Sequence, residues 1–482
     1  MKLKCILSLM FTAVVMLVNT GCDITVVANH ATEAVTEPAT EAKKNYCKVQ
    51  IQSYDKQSLT DNVTYTIKKL DITGDAEIIE ENLKTFRGLV EVNIEAGKYE
   101  ISSSSGVYNE TIVIDEDETS FVISAENNPM YSILDSTKKI CFIGDSITKG
   151  TVTDGEGWYS GLLAKFPNIK QVDVAALGGQ TSASLFDDQE NMNIIKESKA
   201  TTYVIALGVN DVIYRYKDDR ATTYTANEYL QNMKKLVRFI NEKNNNTNYD
   251  FIFIAPFEHT NKYSYTLPKY IQRDNTHREY TCALYNWCNI RGYTFVAPMN
   301  YIKNTLATVE DSSEYMKDDV HPLYPLGTVL YSEGVYESSV LNTIGTLKIN
   351  QNFYREEERQ RTASKYKTYP IDYIQTDVDT NVMKDTFFTI TDQSTGMYLS
   401  LKKDGTEGEY KFDQLSSDPH YYHSVNSDGT FIINDIPQGG YTINFEYNKQ
   451  GYSPYLECQT VFVNGGIIQT NATLYMKDKI DG

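Results

Sequence analysis

The sequence predicts an α/β protein: a doubly wound parallel sheet with a small β-sandwich domain on either side. Between residues 136 and 345, short and nearly continuous apolar runs alternate with segments of helical spacing, as in buried parallel strands covered by helices. In residues 46–128 and 383–478, short alternating runs are separated by turn residues, as in antiparallel β-structure. The length of 482 residues also exceeds what one compact core organises, so several domains are expected.

The first element is an expected signal peptide over residues 1–21. Two lysines precede an apolar run over residues 6–18, and small residues then lead to Cys22. The run is shorter than the about 20 apolar residues that a membrane span needs. Gly21-Cys22 resembles a bacterial lipobox, and two outcomes stay open: lipidation of Cys22, or simple cleavage and secretion. Both predict an extracellular protein at the bacterial cell surface, with no membrane contact except a lipid anchor.

A flexible tether is expected next, over residues 22–45. This segment repeats alanine, threonine and glutamate, and it is too polar to bury a core of its own. Such a composition is typical of a spacer that holds a folded body away from a membrane or wall.

Two β-rich regions, residues 46–128 and 383–478, are each predicted to be a small β-sandwich. Both contain a strand, a glycine turn and a second strand that opens with tyrosine, over residues 89–101 and 430–443. The pattern resembles prealbumin-like or collagen-adhesin B-type modules of bacterial surface proteins. That resemblance implies that the modules bind glycan or a cell-surface partner. Residues 346–382, before the second region, are expected to be a linker.

The central region is predicted to contain five parallel strands with helices between them. Polar segments follow the first three strands, and a fourth polar segment precedes the last helix. Because ligands of such sheets bind beyond the carboxyl ends of the strands, these segments are expected to converge on one edge. The segments are 144–148 (Gly-Asp-Ser-Ile-Thr), 176–181 (Ala-Leu-Gly-Gly-Gln-Thr), 208–211 (Gly-Val-Asn-Asp) and 318–322 (Asp-Asp-Val-His-Pro).

Together these segments supply the groups that acyl transfer requires. Ser146 is the candidate nucleophile and His321 the candidate general base, because a hydroxyl attacks only when a base takes its proton. Asp318, three residues before the histidine, can accept from Nδ1–H and set the tautomer. The N–H groups of Ser146 and Gly179 and the amide of Asn210 are candidate donors to an oxyanion.

In order and spacing, the four segments resemble the four blocks of the SGNH, or GDSL-type, hydrolase family. The resemblance covers roughly residues 138–345, less than half of the chain, and implies a flavodoxin-like sheet and a serine ester hydrolase. It carries Ser146 over as nucleophile, His321 as base with Asp318, and Gly179 and Asn210 as oxyanion donors. The second block, Ala-Leu-Gly-Gly, is the least standard of the four.

Several neighbouring residues have a structural interpretation instead. His259 and His277 lack a carboxylate three residues earlier, so they are expected to be polar surface or substrate-cleft residues. Trp158 and Tyr159 are expected to pack against the core, and Asp145 to hold the turn beside the serine.

Composition argues against other classes of function. Lys and Arg number 45 against 64 Asp and Glu, and a net charge of -19 disfavours a nucleic-acid partner. Seven cysteines, without metal-type spacing, predict small buried thiols such as Cys282 and Cys288 rather than a disulfide framework. The chain also lacks the sequence motifs of metal and phosphate sites, so no cofactor and no metal are expected.

The function expected from the sequence is an exported serine esterase that removes short acyl groups, above all acetyl, from a carbohydrate polymer. Plant hemicellulose or a cell-wall glycan would be such a substrate. A lipase or lysophospholipase is one alternative, although it would favour an apolar acyl groove that the sequence does not show. A surface adhesin with an incidental hydrolase domain is the other alternative, and an assay for turnover separates it from the two esterases.

Overall fold

The computed structural model describes residues 45–476 with twelve gaps. The expected signal peptide, most of the expected tether and Cys22 therefore lie outside the described residues. The gaps are residue 72 and residues 218–224, 244–247, 261–267, 340–343, 359–370, 376–385, 402–409, 414–422, 424–428, 448–451 and 457–459.

In the N-terminal region, the described strands form two sheets around one hydrophobic cluster. Strands β2, β5 and β8 pair with β1 in the first sheet, and the second sheet has the order β4-β3-β6-β7. Every second residue of β1 is buried, and its Val49 shares a cluster with Ile67 of β3. The strands are β1 (Tyr46–Asp55), β2 (Ser58–Leu59), β3 (Thr64–Leu70), β4 (Ala76–Lys84), β5 (Leu89–Glu95), β6 (Gly97–Ser103), β7 (Asn109–Ile114) and β8 (Ser120–Glu126).

The central domain is a parallel sheet with the order β10-β9-β11-β12-β13, as expected for a doubly wound fold. Its strands are β9 (Lys139–Gly144), β10 (Gln171–Ala176), β11 (Thr202–Ala206), β12 (Asp250–Ile254) and β13 (Thr294–Val296). Its helices are α1 (Pro129–Ser136), α2 (Ser146–Lys149), α3 (Ser160–Lys165), α4 (Gln189–Glu197), α5 (Val209–Lys217), α6 (Ala226–Glu242), α7 (Pro268–Arg291), α8 (Met299–Leu306) and α9 (Leu326–Glu337).

Both faces of this sheet are buried along β9, β11 and β12, which explains why the central positions of these strands are apolar. Phe142 of β9 and Val204 of β11 belong to one hydrophobic cluster, whereas the next residues, Ile143 and Ile205, belong to a second cluster on the other face. Successive side chains of a strand point to opposite faces, so continuous apolar runs follow from burial on both sides. The parallel sheet predicted from these runs is confirmed.

The C-terminal region begins earlier than the sequence predicted. Residues 346–382 were expected to be a linker, and the central domain was expected to extend to residue 345, yet β14 starts at Ile344 and runs to Glu358. It pairs in parallel with β23 from Gly345 to Arg355. The charged end of β14 has no strand-like alternation, and its conformation comes from pairing with neighbouring strands.

The described strands of the C-terminal region form two sheets. One has the order β15-β14-β23-β21 with β19 paired to β14, and the other has the order β18-β17-β16-β20-β22. Besides β14, the strands are β15 (Ile371–Gln375), β16 (Thr386–Asp392), β17 (Tyr398–Leu401), β18 (Tyr410–Asp413), β19 (Thr430–Pro437), β20 (Gly439–Tyr447), β21 (Tyr452–Leu456), β22 (Thr460–Val463) and β23 (Gly466–Met476).

Both β-rich regions contact the central domain. In the N-terminal region, Lys56 Nζ donates to the carbonyl oxygen of Tyr336 in α9 at 3.0 Å. In the C-terminal region, the Phe462 ring lies 4.9 Å from the Tyr285 ring and 5.5 Å from the Phe295 ring, between centroids. Among the described helices, none combines the length and apolar character that a membrane crossing requires.

Four cysteines in the described part of the chain are buried free thiols, as the sequence predicted. They are Cys47, Cys141, Cys282 and Cys288. Burial raises the pKa of the Cys141 thiol to about 12, so this group is a small neutral side chain at neutral pH.

Candidate active site

The candidate nucleophile lies at the carboxyl end of β9. Ser146 is the first residue of α2, directly after the strand, and it is 6% exposed. Asp145 caps this short helix by accepting from the Ile147 N–H at 3.0 Å. The turn therefore holds the serine at the edge where the other strands of the sheet also end.

Asp145 is buried and has a structural contact with the backbone, as the sequence predicted. Burial raises the pKa of its carboxyl to about 7, and the charge of Asp211 adds to the rise, whereas the hydrogen bond from Ile147 opposes it. Below neutral pH, the Asp145 carboxyl is therefore protonated and uncharged in most of the folded molecules.

A hydrogen-bonded chain joins the serine to His321 and Asp318. Ser146 Oγ lies 2.9 Å from His321 Nε2. His321 Nδ1 lies 2.9 Å from Asp318 Oδ2 and 3.0 Å from Oδ1. Because a carboxylate can only accept, Nδ1 carries the proton and Nε2 is left as the acceptor for the serine hydroxyl. This is the order of groups that general-base activation of a serine requires.

Asp318 is held as a carboxylate by the loop that carries it. Its Oδ1 accepts from the backbone N–H groups of Val320 and His321, each at 2.8 Å. Partial burial raises the pKa of the Asp318 carboxyl, but the hydrogen bonds from His321 and Val320 outweigh it and leave the pKa below its ordinary value. The carboxyl therefore stays ionised throughout the neutral range.

Gly179 lies in the loop after β10 with a φ of +79°, which favours glycine. A β-carbon there would lie 2.5 Å from Tyr214 Oη, so the hydroxyl of α5 packs against the α-carbon. Both the backbone conformation and the close approach select glycine at this position. Although Ala-Leu-Gly-Gly is the least standard of the four blocks, it therefore has glycine at position 179, where the backbone conformation and the packing require it.

Asn210 connects the third polar segment to the second. Its Nδ2 donates to the carbonyl oxygen of Gln180 at 3.1 Å, and the residue is 7% exposed. The sequence predicted that the four segments converge. Two sets of contacts join them in pairs, one through Ser146, His321 and Asp318 and the other through Asn210 and Gln180.

Sequence reasoning missed three residues that support the loop after β10, namely Ser182, Asp211 and Tyr214. Asp211 accepts from the backbone N–H of Ser182 at 2.9 Å and from its hydroxyl at 2.5 Å. Tyr214 covers Gly179 from the same helix. Asp211 was visible within the Gly-Val-Asn-Asp segment, but the pairing with Ser182 has no local sequence signal.

The two rival histidines are buried, which corrects one of the two sequence expectations, that they are polar surface residues; a place in the substrate cleft stays a prediction. His259 is 8% exposed and His277 is fully buried, and their ring centroids lie 5.6 Å apart. His259 Nε2 lies 3.7 Å from Asp319 Oδ2. His277 lies on the buried side of α7. Which side of the helix is buried depends on how α7 packs in the folded domain, and the neighbouring residues in the sequence do not show it.

Trp158 and Tyr159 pack in the core, as predicted. Trp158 is fully buried and its Nε1 donates to Thr148 Oγ1 at 3.2 Å. The Tyr159 ring stacks on Phe142 with a centroid separation of 4.3 Å. In the part of the chain that the structure describes, no three His, Cys, Asp or Glu side chains are grouped so that they could hold a metal ion.

Comparison with known proteins gives a family match for the central domain. Residues 142–323 match the model of the GDSL-like lipase/acylhydrolase family. A comparison with curated proteins found no match.

Three solved structures that resemble this chain each cover less than half of it. A candidate GDSL-like lipase from Parabacteroides merdae has 18% identity, a TM-score of 0.34, and coverage of 42% of this chain and 94% of its own. An acetylxylan esterase from Geobacillus stearothermophilus has 22% identity, a TM-score of 0.32, and coverage of 41% and 91%. An α/β hydrolase from the metagenome of Lake Arreo, Spain, has 17% identity, a TM-score of 0.32, and coverage of 42% and 94%.

The family match falls on the segments that carry the candidate site, from the strand before Ser146 to the residues just after His321. At these identities and TM-scores, the solved structures carry no information about substrate. Residues 142–323 of the chain are thus a GDSL-like lipase/acylhydrolase domain.

Proposed function

We propose that this protein is an exported serine esterase that removes short acyl groups, acetyl above all, from a carbohydrate polymer. One observation carries the catalytic part of the proposal. Ser146 Oγ lies 2.9 Å from His321 Nε2, and the other ring nitrogen lies 2.9 Å from Asp318. These distances are within the range in which a base can take the proton of the nucleophile.

In the first half of the reaction, Ser146 Oγ forms a bond to the acyl carbon while His321 Nε2 takes the hydroxyl proton. Asp318 stabilises the imidazolium that results. The carbonyl oxygen becomes an oxyanion, for which the N–H groups of Ser146 and Gly179 and the amide of Asn210 are the proposed donors. Collapse of the intermediate breaks the bond to the sugar oxygen, and His321 gives its proton to that oxygen.

In the second half, water attacks the acyl-serine. His321 takes a proton from the water and then returns it to Ser146 Oγ, which releases the carboxylic acid and restores the free enzyme. His321 therefore acts as the base in each attack and as the acid in each collapse. The reaction consumes one ester and one water and forms one alcohol and one acid.

The openness of the acid–base pair supports a short acyl group. The side chains of His321 and Asp318 are 25% and 46% exposed. A long acyl chain gains affinity mainly by burial, at about 25 cal/mol per Å² of apolar surface. An open site offers little burial of this kind, whereas it admits a small ester that projects from a bulky, hydrated polymer.

The proposal is tested by acetate release from acetylated xylan and from p-nitrophenyl acetate, with Ser146→Ala as the matched control. Turnover of both substrates that is lost in the variant supports a serine carbohydrate esterase. Turnover of p-nitrophenyl acetate without acetate from xylan would keep the serine esterase and reject this polymer. If a folded protein hydrolyses no short-chain ester, the catalytic proposal is wrong.

A lipase-type esterase is the second candidate, and exposed apolar residues near the candidate site favour it. Leu177, two residues before Gly179, is 42% exposed, and Tyr324, three residues after His321, is 59% exposed. Such side chains could contact a lipid surface. A series of p-nitrophenyl esters from acetate to palmitate separates the candidates: rates that fall with chain length support the short-acyl esterase, and rates that rise support the lipase.

Export rests on the N-terminal sequence alone, and we include it in the proposal with a lipid anchor on Cys22. Expression of the full chain with a labelled fatty acid tests the anchor, with Cys22→Ala as control. Label and membrane association that are lost in the variant support lipidation. Secretion of an unlabelled wild-type protein into the medium would instead support simple cleavage.

A further inference from the structure

Helix α5 contacts the loop of residues 176–182 at three successive points. Tyr214 packs on Gly179, Asn210 donates to the carbonyl oxygen of Gln180, and Asp211 accepts from Ser182. Asn210 and Tyr214 are four residues apart and lie on the same face of the helix. One helix therefore determines where this loop lies relative to Asn210.

The contact between Asp211 and Ser182 has the strongest geometry of the three. One carboxylate oxygen accepts from the Ser182 N–H at 2.9 Å, and the other accepts from the Ser182 hydroxyl at 2.5 Å. Both residues are 1% exposed. Hydrogen bonds to an ionised acceptor are about twice as strong as neutral ones, and burial removes the competition from water.

A second helix supports the same serine from outside. Asn232 in α6 donates from Nδ2 to Ser182 Oγ at 2.9 Å. The serine hydroxyl thus accepts from one helix and donates to the other. This arrangement leaves the end of the loop little freedom to shift along or away from α5.

We propose that Asp211 is a positioning residue for the oxyanion site. By holding Ser182 at two points, it fixes the 176–182 loop so that the Gly179 N–H and the Asn210 amide converge on one oxygen atom. The inference rests on the proposed esterase function. Asp211 does not touch the substrate, and its effect passes through the backbone between Gly179 and Ser182.

The expected kinetic consequence differs from that of a general loss of folding. Donors that are displaced from the oxyanion weaken the transition state more than the ground state, so kcat falls while KM changes little. The acid–base pair lies on another loop, so the shape of the pH–rate profile should stay the same. A role in stability alone would lower the amount of active enzyme without changing the kinetics of the folded fraction.

The chain offers a control in another serine–carboxylate contact, which is partly buried. Ser198 Oγ donates to Asp173 Oδ2 at 2.6 Å, in a pair that joins the end of α4 to β10 and contacts none of the candidate site residues. Asp173→Asn therefore repeats the chemical change of Asp211→Asn away from the 176–182 loop.

The test measures kcat and KM for p-nitrophenyl acetate in wild type, Asp211→Asn, Ser182→Ala and Asp173→Asn, per mole of folded enzyme. Removing one oxyanion donor typically costs about 10²–10³ in kcat, so displacing donors in Asp211→Asn should cost about 10–100-fold with KM within about twofold. Ser182→Ala keeps the backbone contact and should lose less. Asp173→Asn should stay within about twofold of wild type. Equal kcat in Asp211→Asn and wild type would overturn the proposal.

Hydrogen–deuterium exchange of the peptide that covers residues 176–183 tests the loop independently of turnover. Faster exchange is expected in Asp211→Asn and Ser182→Ala, and wild-type exchange in Asp173→Asn. A fall in kcat without faster exchange would overturn the positioning role. If wild type has no esterase activity, the proposed function fails, and unchanged exchange in Asp211→Asn would then reject the anchoring role as well.

Discussion

The two sides of the candidate active site differ in their contact with water. On the side that holds the proposed oxyanion donors, Asn210 is 7% exposed and Asp211 is 1% exposed. Both residues belong to α5 and form hydrogen bonds to the loop after β10. On the acid–base side, the Asp318 side chain is 46% exposed and that of His321 25%. Ser146 is joined to the acid–base side by its hydrogen bond with His321.

This difference fits the work that each side is proposed to do. Donors that stabilise a developing charge act best when they are fixed in advance and shielded from water. A histidine that exchanges protons with a leaving group and with water must remain accessible to both. We therefore expect substitutions on the buried side to change stability and rate together, and substitutions on the exposed side to change the rate alone.

The largest effect is expected at Ser146, the candidate nucleophile. Ser146→Ala removes the nucleophile and should lower kcat by about 10⁵–10⁶, because the comparable loss in a serine protease is about 2 × 10⁶. The melting temperature should change little, since only one hydroxyl and its hydrogen bond to His321 are lost. Ester hydrolysis and thermal unfolding of the same preparation check both statements, and a variant that retains a tenth of the wild-type rate would remove Ser146 from the mechanism.

On the exposed side, Asp318→Asn should lower kcat by about 10³–10⁴, because an amide cannot fix the required histidine tautomer. Partial exposure predicts that the melting temperature stays within a few degrees of wild type, by the general weakness of exposed ion pairs. Rate and melting curves together test the contrast. A strongly destabilised variant would show that the two sides do not differ in this respect.

On the buried side, Asn210→Ala should lower kcat by about 10²–10³, the usual cost of one oxyanion donor. It should also lower the free energy of unfolding by about 1 kcal/mol, because the hydrogen bond to the Gln180 carbonyl is lost. Urea unfolding beside the kinetic assay measures both. A rate loss with wild-type stability would contradict the coupling expected on this side.

The pH dependence of stability should come from the buried Asp145. Its folded pKa of about 7 lies above the unfolded value of about 4. As pH rises from about 4 to about 7, the unfolded chain loses this proton while the folded protein keeps it, so the free energy of unfolding falls and then levels off. Asp145→Asn lacks this fall and should gain stability over wild type as pH rises.

The expected gain at pH 7 and above is on the order of 1–4 kcal/mol, since each pKa unit corresponds to about 1.4 kcal/mol. Urea unfolding of both proteins at pH 5, 6, 7 and 8 measures the difference in free energy of unfolding. Because both proteins are measured at the same pH values, the effects of the other titratable groups cancel. A difference that is constant across this range would show that Asp145 ionises in the folded protein as it does in the unfolded chain.

Much of the central domain could be predicted because its signals are local. Buried parallel strands such as β9 and β11 are apolar at their central positions, and segments rich in glycine and polar residues follow them. The position of Ser146 followed from the sequence, because it comes directly after β9 and the carboxyl ends of parallel strands share one edge. His321 and Asp318 come before α9 instead of directly after a strand, and the structure shows their contacts with the serine. The catalytic roles of these residues stay a prediction until the rates are measured.

The failures have a common cause. Residues 346–358 contain charged positions without alternation, yet they form most of β14, because strands distant in the sequence pair with it. His277 and His259 are polar side chains in a buried position, which depends on the packing of α7 against the sheet. Neither outcome is encoded within a few residues of the position concerned.

By itself, the sequence determined the order of strands and helices in the central domain, the parallel sheet and the identity of the four polar segments. These features depend on residue type and short-range periodicity, which act locally. Only the tertiary structure decided which residues hold the segments in place. The contact of Asp211 with Ser182 joins residues that are 29 positions apart, and its strength comes from burial, which exists only after the chain has folded.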